Sequence, residues 1–120
     1  MKNVCVYCGS SSGNSEIYKQ ATVALGALLA RKQYRLVYGG GSTGLMGYLA
    51  NAVLEGGGQV TGVIPGFLVE REREHRGLTD LVEVNSMHQR KQKMVDYSDG
   101  FIILASGMGT MDEFFETTTW

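Results

Sequence analysis

Two stretches hold residues whose types and spacing can do chemistry together. The first is Ala105-Ser-Gly-Met-Gly-Thr-Met-Asp-Glu113, which follows the apolar run Phe101-Ile-Ile-Leu104. It reads as a strand, a tight glycine turn and a helix. Gly107 and Gly109 let a ligand come close to the backbone. Thr110 can cap the helix, and Glu113, three residues on, completes a capping-box spacing. The N–H groups at such a helix start form an anion site, and Glu113 sets one carboxylate beside it. The second stretch is Ser86-Met-His-Gln-Arg-Lys91. Ser86 and Gln89 have capping-box spacing, so a helix starts here and runs to about residue 97. On its wheel Met87 and Met94 share a face, and Arg90 and Lys91 flank it. Lysine and arginine normally face outward. Two readings stay open: apolar stems packed with their heads in water, or a cationic pair at a pocket rim. Phosphate anchor, cation and carboxylate are the parts needed to handle a nucleotide or a sugar phosphate.

The rest of the chain must position these parts. Residues 3–7 read as a first strand, followed by a small polar loop over residues 9–13. A helix is predicted over 15–32, with Ile17, Ala21, Ala24, Leu25 and Leu28 as its apolar stripe. Residues 35–38 form a second strand and 39–44 a glycine loop. A second helix carries Leu45, Leu49, Ala52 and Val53 on one side, and Gly56-Gly-Gly58 stops it. Residues 59–64 and 81–84 are the third and fourth strands, and 101–104 the fifth. The continuous apolar run of the fifth suits a central parallel strand buried on both faces. This alternation predicts an α/β fold: a Rossmann-like, doubly wound parallel sheet of about five strands with helices on both faces. Loops 9–13, 39–44, 85–86 and 105–109 then converge at the carboxyl ends of the strands, the edge at which open α/β sheets bind ligands. Glycine is abundant, 17 of 120 residues, about twice the usual share. It clusters between the predicted elements, which marks turn and ligand-loop chemistry.

Other motifs carry less. Gly39-x-Gly41-x-x-Gly44 matches the dinucleotide fingerprint in its letters. It follows the second strand, however, and the third strand ends in Ile64-Pro65-Gly66, with no acid for ribose hydroxyls, so a nicotinamide enzyme is disfavoured. Cys5 and Cys8 have C-x-x-C spacing, but residues i and i+3 of a strand point to opposite faces, and a zinc site needs more ligands. No metal is expected. The mixed charge run over 70–76 suits a solvated helix face or surface loop, and His75 a surface histidine or one supporting a neighbour. A net charge of −1 offers no basic footprint for nucleic acid or an anionic membrane. No apolar run approaches the ~20 residues of a membrane span. The first apolar run is too short for a signal peptide, which points to the cytoplasm.

Five segments, in order along the chain, carry a family resemblance: Cys8-Gly-Ser-Ser-Ser-Gly13, Val37-Tyr-Gly-Gly-Gly-Ser-Thr-Gly-Leu-Met-Gly47, Gly62-Val-Ile-Pro65, Ser86-Met-His-Gln-Arg-Lys91 and Gly107-Met-Gly-Thr-Met-Asp-Glu113. The sequence resembles the LONELY GUY (LOG) family, phosphoribohydrolases of cytokinin riboside 5′-monophosphates that are often mislabelled lysine decarboxylases. The resemblance implies hydrolysis of the N-glycosidic bond of AMP or an N6-modified AMP, giving free base and ribose 5-phosphate without a cofactor. It implies Arg90 and Glu113 as the catalytic pair. Gly107, Gly109 and Thr110 would hold phosphate, and Gly9, Ser10, Gly40, Gly41, Met87 and Lys91 complete the substrate-binding set. A pyridoxal phosphate decarboxylase needs a Schiff-base lysine and usually a larger scaffold; Lys91 is its one candidate here. This sequence has Ala105-Ser106 where the family has Pro-Gly, so a non-catalytic nucleotide- or phosphate-binding module is the alternative. Family members continue with further strands. Residues 1–120 therefore read as a single domain lacking the family's C-terminal strands, which puts the fifth strand at a sheet edge. With Phe114, Phe115 and Trp120 added, that open edge predicts a homodimer or larger assembly.

Overall fold

The computed structural model describes residues 2–7, 16–42, 44–69, 75 and 77–103. Its elements are β1 (Asn3–Tyr7), α1 (Glu16–Arg31), β2 (Arg35–Tyr38), α2 (Gly44–Glu55), β3 (Val60–Pro65), a 3₁₀ turn (Gly66–Leu68), β4 (Asp80–Val84), α3 (Met87–Asp96) and β5 (Gly100–Ile103). The strands form one parallel sheet in the order β4-β3-β2-β1-β5. The first four strands step outward from β1, and the chain then returns to the far side of β1. This reversal puts the helices on opposite faces. Leu29 of α1 and Met46, Leu49, Ala50 and Val53 of α2 pack over Val6, Leu36, Tyr38 and Val60. Met94 of α3 packs on the other face over Cys5, Tyr7, Val37, Val63 and Val84. Neighbours such as Val6 and Tyr7 thus enter different cores, as the two-residue period of a strand requires. The predicted fold class holds, and the predicted boundaries fall within two residues of those observed.

Chain punctuation explains why the helices stop where they do. After α1, Gln33 adopts φ 61°, with Tyr34 N–H donating to Leu29 O and Gln33 N–H to Ala30 O, both at 3.0 Å. After α2, Gly57 adopts φ 82°, with Gly58 N–H donating to Val53 O at 2.8 Å and Gly57 N–H to Leu54 O at 3.0 Å. Both ends follow the Schellman pattern, which satisfies the last carbonyls of each helix. The start of β5 is fastened to that of β1. Asn3 N–H donates to Asp99 Oδ2 at 2.8 Å, Asn3 Nδ2 donates to Tyr97 O at 2.7 Å, and Asp99 N–H returns a bond to Asn3 O at 2.7 Å.

Two expectations need correction. The buried side of α1 is Thr22, Gly26, Leu29 and Ala30. Of the expected stripe only Leu25 packs partly inward; Ala21 and Ala24 are exposed, as are Ile17 at 73% and Leu28 at 37%. Close approach of α1 to α2 decides the face. A Cβ at Gly26 would stand 2.6 Å from Ala52 Cβ and 2.9 Å from Leu49 O, so the small residues form the seam and the larger apolar ones face away. Thr22 is tolerated there because its hydroxyl donates to Tyr18 O at 2.6 Å. Second, β5 is not a central strand. It pairs with β1 and ends the sheet among the described residues, and Phe101 is exposed beside the ring of Tyr7. Among the described residues β5 takes the edge position that the family resemblance led one to expect.

The α1–α2 seam yields a direct test. Gly26→Leu forces a side chain into a contact where Ala52 and the Leu49 carbonyl leave no room. Chemical denaturation should show a loss of about 3 kcal/mol, the upper range of overpacking costs. An unchanged midpoint would mean that the seam opens freely.

Candidate active site

The site is built from the first turn of α3 and the carboxyl ends of β2 and β3. Ser86 caps α3, its Oγ accepting from Gln89 N–H at 3.1 Å. Gln89 Oε1 in turn accepts from Asn85 N–H at 2.7 Å, one residue earlier than an ordinary capping box would have it. This pair fixes the rotation of the helix about its axis and so the direction of the residue that follows. Arg90 points inward and is only 6% exposed. Its Nε donates to Val63 O at 3.0 Å and its Nη2 to Gly39 O at 2.6 Å. Its Nη1 lies 3.9 Å from Met87 Sδ. The guanidinium therefore bridges two adjacent strands, at the residue after β2 and at Val63 within β3. Arg90 does not flank the buried stripe of α3 as expected; with Met94 it is the buried stripe. Snorkelling is the wrong reading for it. Lys91, next along the helix, is half-buried.

The glycine turn after β2 meets this cation from the sheet side. Tyr38 Oη, fully buried, donates to Gly41 O at 2.7 Å and holds the turn folded. Gly40 takes φ 81°, a left-handed conformation that favours glycine. It lies so close to β3 that a Cβ at Gly62 would stand 2.7 Å from its Cα. The Gly40 carbonyl accepts from His75 N–H at 2.9 Å. The His75 ring makes two further bonds: Nδ1 accepts from Gly77 N–H at 3.0 Å, and Nε2 lies 2.7 Å from Asn51 Oδ1 on α2. With Nδ1 an acceptor, Nε2 carries the proton and donates. Burial lowers the His75 pKa, since the charged ring would lose solvation. His75 thus pins the glycine turn, the supporting one of the two roles expected for it, with partners that the sequence did not identify.

Arg90, Met87 and Lys91 on α3 and Gly40 and Gly41 after β2 are brought to one edge, joined through Gly39. Gly9, Ser10, Gly107, Gly109, Thr110 and Glu113 lie outside the described residues, as do Ala105-Ser106. Tyr7 and Ile103 are partners in the β1–β5 ladder, so the segments after β1 and β5 leave from neighbouring points on this edge. That junction is the switch point of the sheet, where α/β folds of this kind bind ligands. Among the described residues no three His, Cys, Asp or Glu gather as a metal group, and no helix is long and apolar enough to cross a membrane. Cys5 is buried in the core beneath α3. A cavity of about 320 Å³ opens near the amino ends of the strands, lined in part by Asn3, Arg35, Thr61, Asp80 and Tyr97. Of the residues in the five family segments only Val37 lines it, and none of the candidate site residues does.

The chain finds matches among known proteins over nearly its whole length. A family model described as "possible lysine decarboxylase" matches residues 46–120. The chain belongs to this family, the LONELY GUY group. It is 50% identical over 120 residues to the cytokinin riboside 5′-monophosphate phosphoribohydrolase of Rhodococcoides fascians, covering 99% of this chain and 61% of that protein. It is 48% identical over 119 residues to LOG1 of Arabidopsis thaliana, a protein of the same name, covering 99% of this chain and 56% of that one. The chain thus spans little more than half the length of these relatives. Among solved structures, the X-ray structure of TM1055 matches with a TM-score of 0.77 and 26% identity, over 98% of this chain and 68% of that one. The molybdenum cofactor carrier protein of Chlamydomonas reinhardtii matches with a TM-score of 0.81 and 21% identity, over 97% and 70%. This second likeness shows the shared fold alone.

The lowered pKa of His75 links the stability of the fold to pH. Its folded-state pKa lies below the ordinary value of about 6.5. As pH falls, the unfolded chain takes up the proton first. The ring's contribution is complete above about 6.5 and is lost as pH falls through the lowered folded value. The urea midpoint should drop between about pH 7.5 and 5.5, and drop less in His75→Asn, whose Oδ1 can accept from Gly77 N–H without titrating. Equal slopes in the two proteins would remove His75 from the pH response.

Proposed function

We propose that this chain hydrolyses the N-glycosidic bond of a nucleoside 5′-monophosphate, releasing the free base and ribose 5-phosphate. The substrate is AMP or an N6-modified AMP such as a cytokinin riboside 5′-monophosphate. The observation that carries the reading is Arg90, a buried cation fixed on two backbone carbonyls, in a chain about half identical to proteins named for this activity. Water supplies the hydroxyl group that replaces the base at the anomeric carbon. As that bond breaks, positive charge develops on the ribose, and a nearby carboxylate stabilises it while orienting the water. Glu113 takes that part. The helix start that the sequence leads one to expect at Glu113 would favour the ionised form, which suits a base or charge stabiliser better than a proton donor. Arg90 presents a planar cation suited to phosphate oxygens or to holding the carboxylate. Gly107, Gly109 and Thr110 supply backbone and hydroxyl donors to the phosphate, with Gly9, Ser10, Gly40, Gly41, Met87 and Lys91 around the substrate. No cofactor takes part.

The active form in this proposal is a homodimer or larger. Ile17, Tyr18, Val23 and Leu28 expose apolar surface on α1, and β5 leaves one edge of the sheet open among the described residues. A second copy would cover such surfaces; light scattering at micromolar concentration that reports a monomer would refute it. The cytoplasm, where a thiol such as Cys5 stays reduced, is the compartment that fits.

Ala105-Ser106 favours the second reading, a module that binds nucleotide without cleaving it. Incubation with AMP and with N6-isopentenyl-AMP, followed by assay of free base, separates the two. Base release should appear with at least one of them. It should fall roughly 100-fold or more in Glu113→Gln, the scale of losing an acid–base group, while melting stays near native because glutamine also serves a capping box. Binding without base release would establish the module, and full activity in Glu113→Gln would remove the carboxylate from the chemistry.

A further inference from the structure

Gly39 opens the glycine loop over residues 39–44 but is not among the substrate-binding residues that the family resemblance implies. Its environment gives it another role. The carbonyl accepts the Arg90 Nη2 hydrogen bond at 2.6 Å. A Cβ added at Gly39 would stand 2.5 Å from that same nitrogen, 3.2 Å from Arg90 Cζ and 3.1 Å from Met46 Sδ. The backbone at Gly39 does not demand glycine. Among the described residues the glycines with positive φ are Gly40, Gly44 and Gly57. Gly40 is therefore glycine for its conformation, and Gly39 for the room it leaves.

We propose that Gly39 is a positioning residue for Arg90: its absent side chain is the space into which the guanidinium fits, and its carbonyl sets the direction in which the guanidinium points. The proposal rests on the reading of Arg90 as a member of the catalytic pair. Of the two neighbours that a methyl group at position 39 would meet, Met46 can give way, since a thioether on an unbranched chain repacks readily. Arg90 cannot. Nε is engaged by Val63 O and Nη2 by Gly39 O, and a planar fork moves as one body. Restoring ordinary van der Waals separation requires a displacement of roughly 1 Å, and a misplacement of that size costs a reacting group on the order of 100-fold in rate.

The test uses Gly39→Ala, Arg90→Lys and the double variant in the full chain. The arginine Nε–H resonances are recorded by ¹H–¹⁵N NMR, with Arg90 identified by its loss in Arg90→Lys. In the native protein this proton is buried and bonded, so its signal should persist at neutral pH and exchange slowly. In Gly39→Ala it should shift or broaden away. Base release, where the native protein shows it, should fall about 100-fold. The melting temperature should drop in Gly39→Ala and drop less when the same change is made beside Arg90→Lys, because an ammonium lacks the second nitrogen and the central carbon that collide. If Gly39→Ala fails to fold, recovery of folding in the double variant supports the proposal and its failure overturns it. An unchanged Arg90 signal, or an equal melting loss in both backgrounds, also overturns it. Both readouts are independent of turnover. A native protein that releases no base but behaves as described in NMR and melting would refute the hydrolase reading and leave the positioning role standing.

Discussion

The contact on which the site depends is the Arg90 guanidinium set against the carbonyls of Val63 and Gly39. Moving a cation out of water costs several kcal/mol unless the interior answers its charge and its donors. Here two parallel strands do part of that work. Carbonyl dipoles at β2 and β3 point at the cation, and hydrogen bonds to a charged group are among the stronger ones a protein makes. The same bonds tie α3 to the middle of the sheet, so the helix start, the two strands and the charged group move as one unit. A cation on a surface helix would be a mobile point charge; this one is part of the frame.

Small residues make that frame possible. Gly62 lets the Gly40 turn fold back onto β3, and Gly26 lets α1 lie close on α2. Each brings backbone to a distance that a side chain would forbid. Tyr38 and His75 then hold the turn from below and above, through Gly41 O and Gly40 O. The glycine-rich composition is thus spent on approach between elements as much as on turns. It leaves the carboxyl edge dense with backbone donors and acceptors whose positions are set by the sheet.

Much of this was legible in the chain itself. Strand and helix order followed from apolar periodicity, and a doubly wound parallel sheet from their alternation; that the reversal falls at β1 did not. Ser86 and Gln89 announced the start of α3. What misled was face assignment. Ile17, Ala21, Ala24 and Leu28 form a good apolar stripe, yet α2 selects the Gly26 side, because packing distance outweighs stripe hydrophobicity when small residues face each other. Arg90 and Lys91 looked equivalent on a helical wheel. Only the strands, distant in sequence, tell them apart, and they bury one and leave the other half-exposed. The partners of His75 were hidden for the same reason: Gly40, Asn51 and Gly77 belong to three different segments. The catalytic assignment of Arg90 and Glu113 came from family resemblance. Arg90 is buried on two backbone carbonyls, and Glu113 lies outside the described residues.

The central claim is that the carboxyl edge around Arg90 is where substrate is held. A crystal structure of the protein with ribose 5-phosphate tests it most directly. The account predicts the sugar phosphate at the junction of β1 and β5, with the Arg90 guanidinium within hydrogen-bond distance of the ligand or of Glu113 and still resting on Val63 and Gly39. Ribose 5-phosphate bound instead in the cavity near the amino ends of the strands, beside Arg35 and Asp80, or an Arg90 remote from both ligand and Glu113, would contradict it.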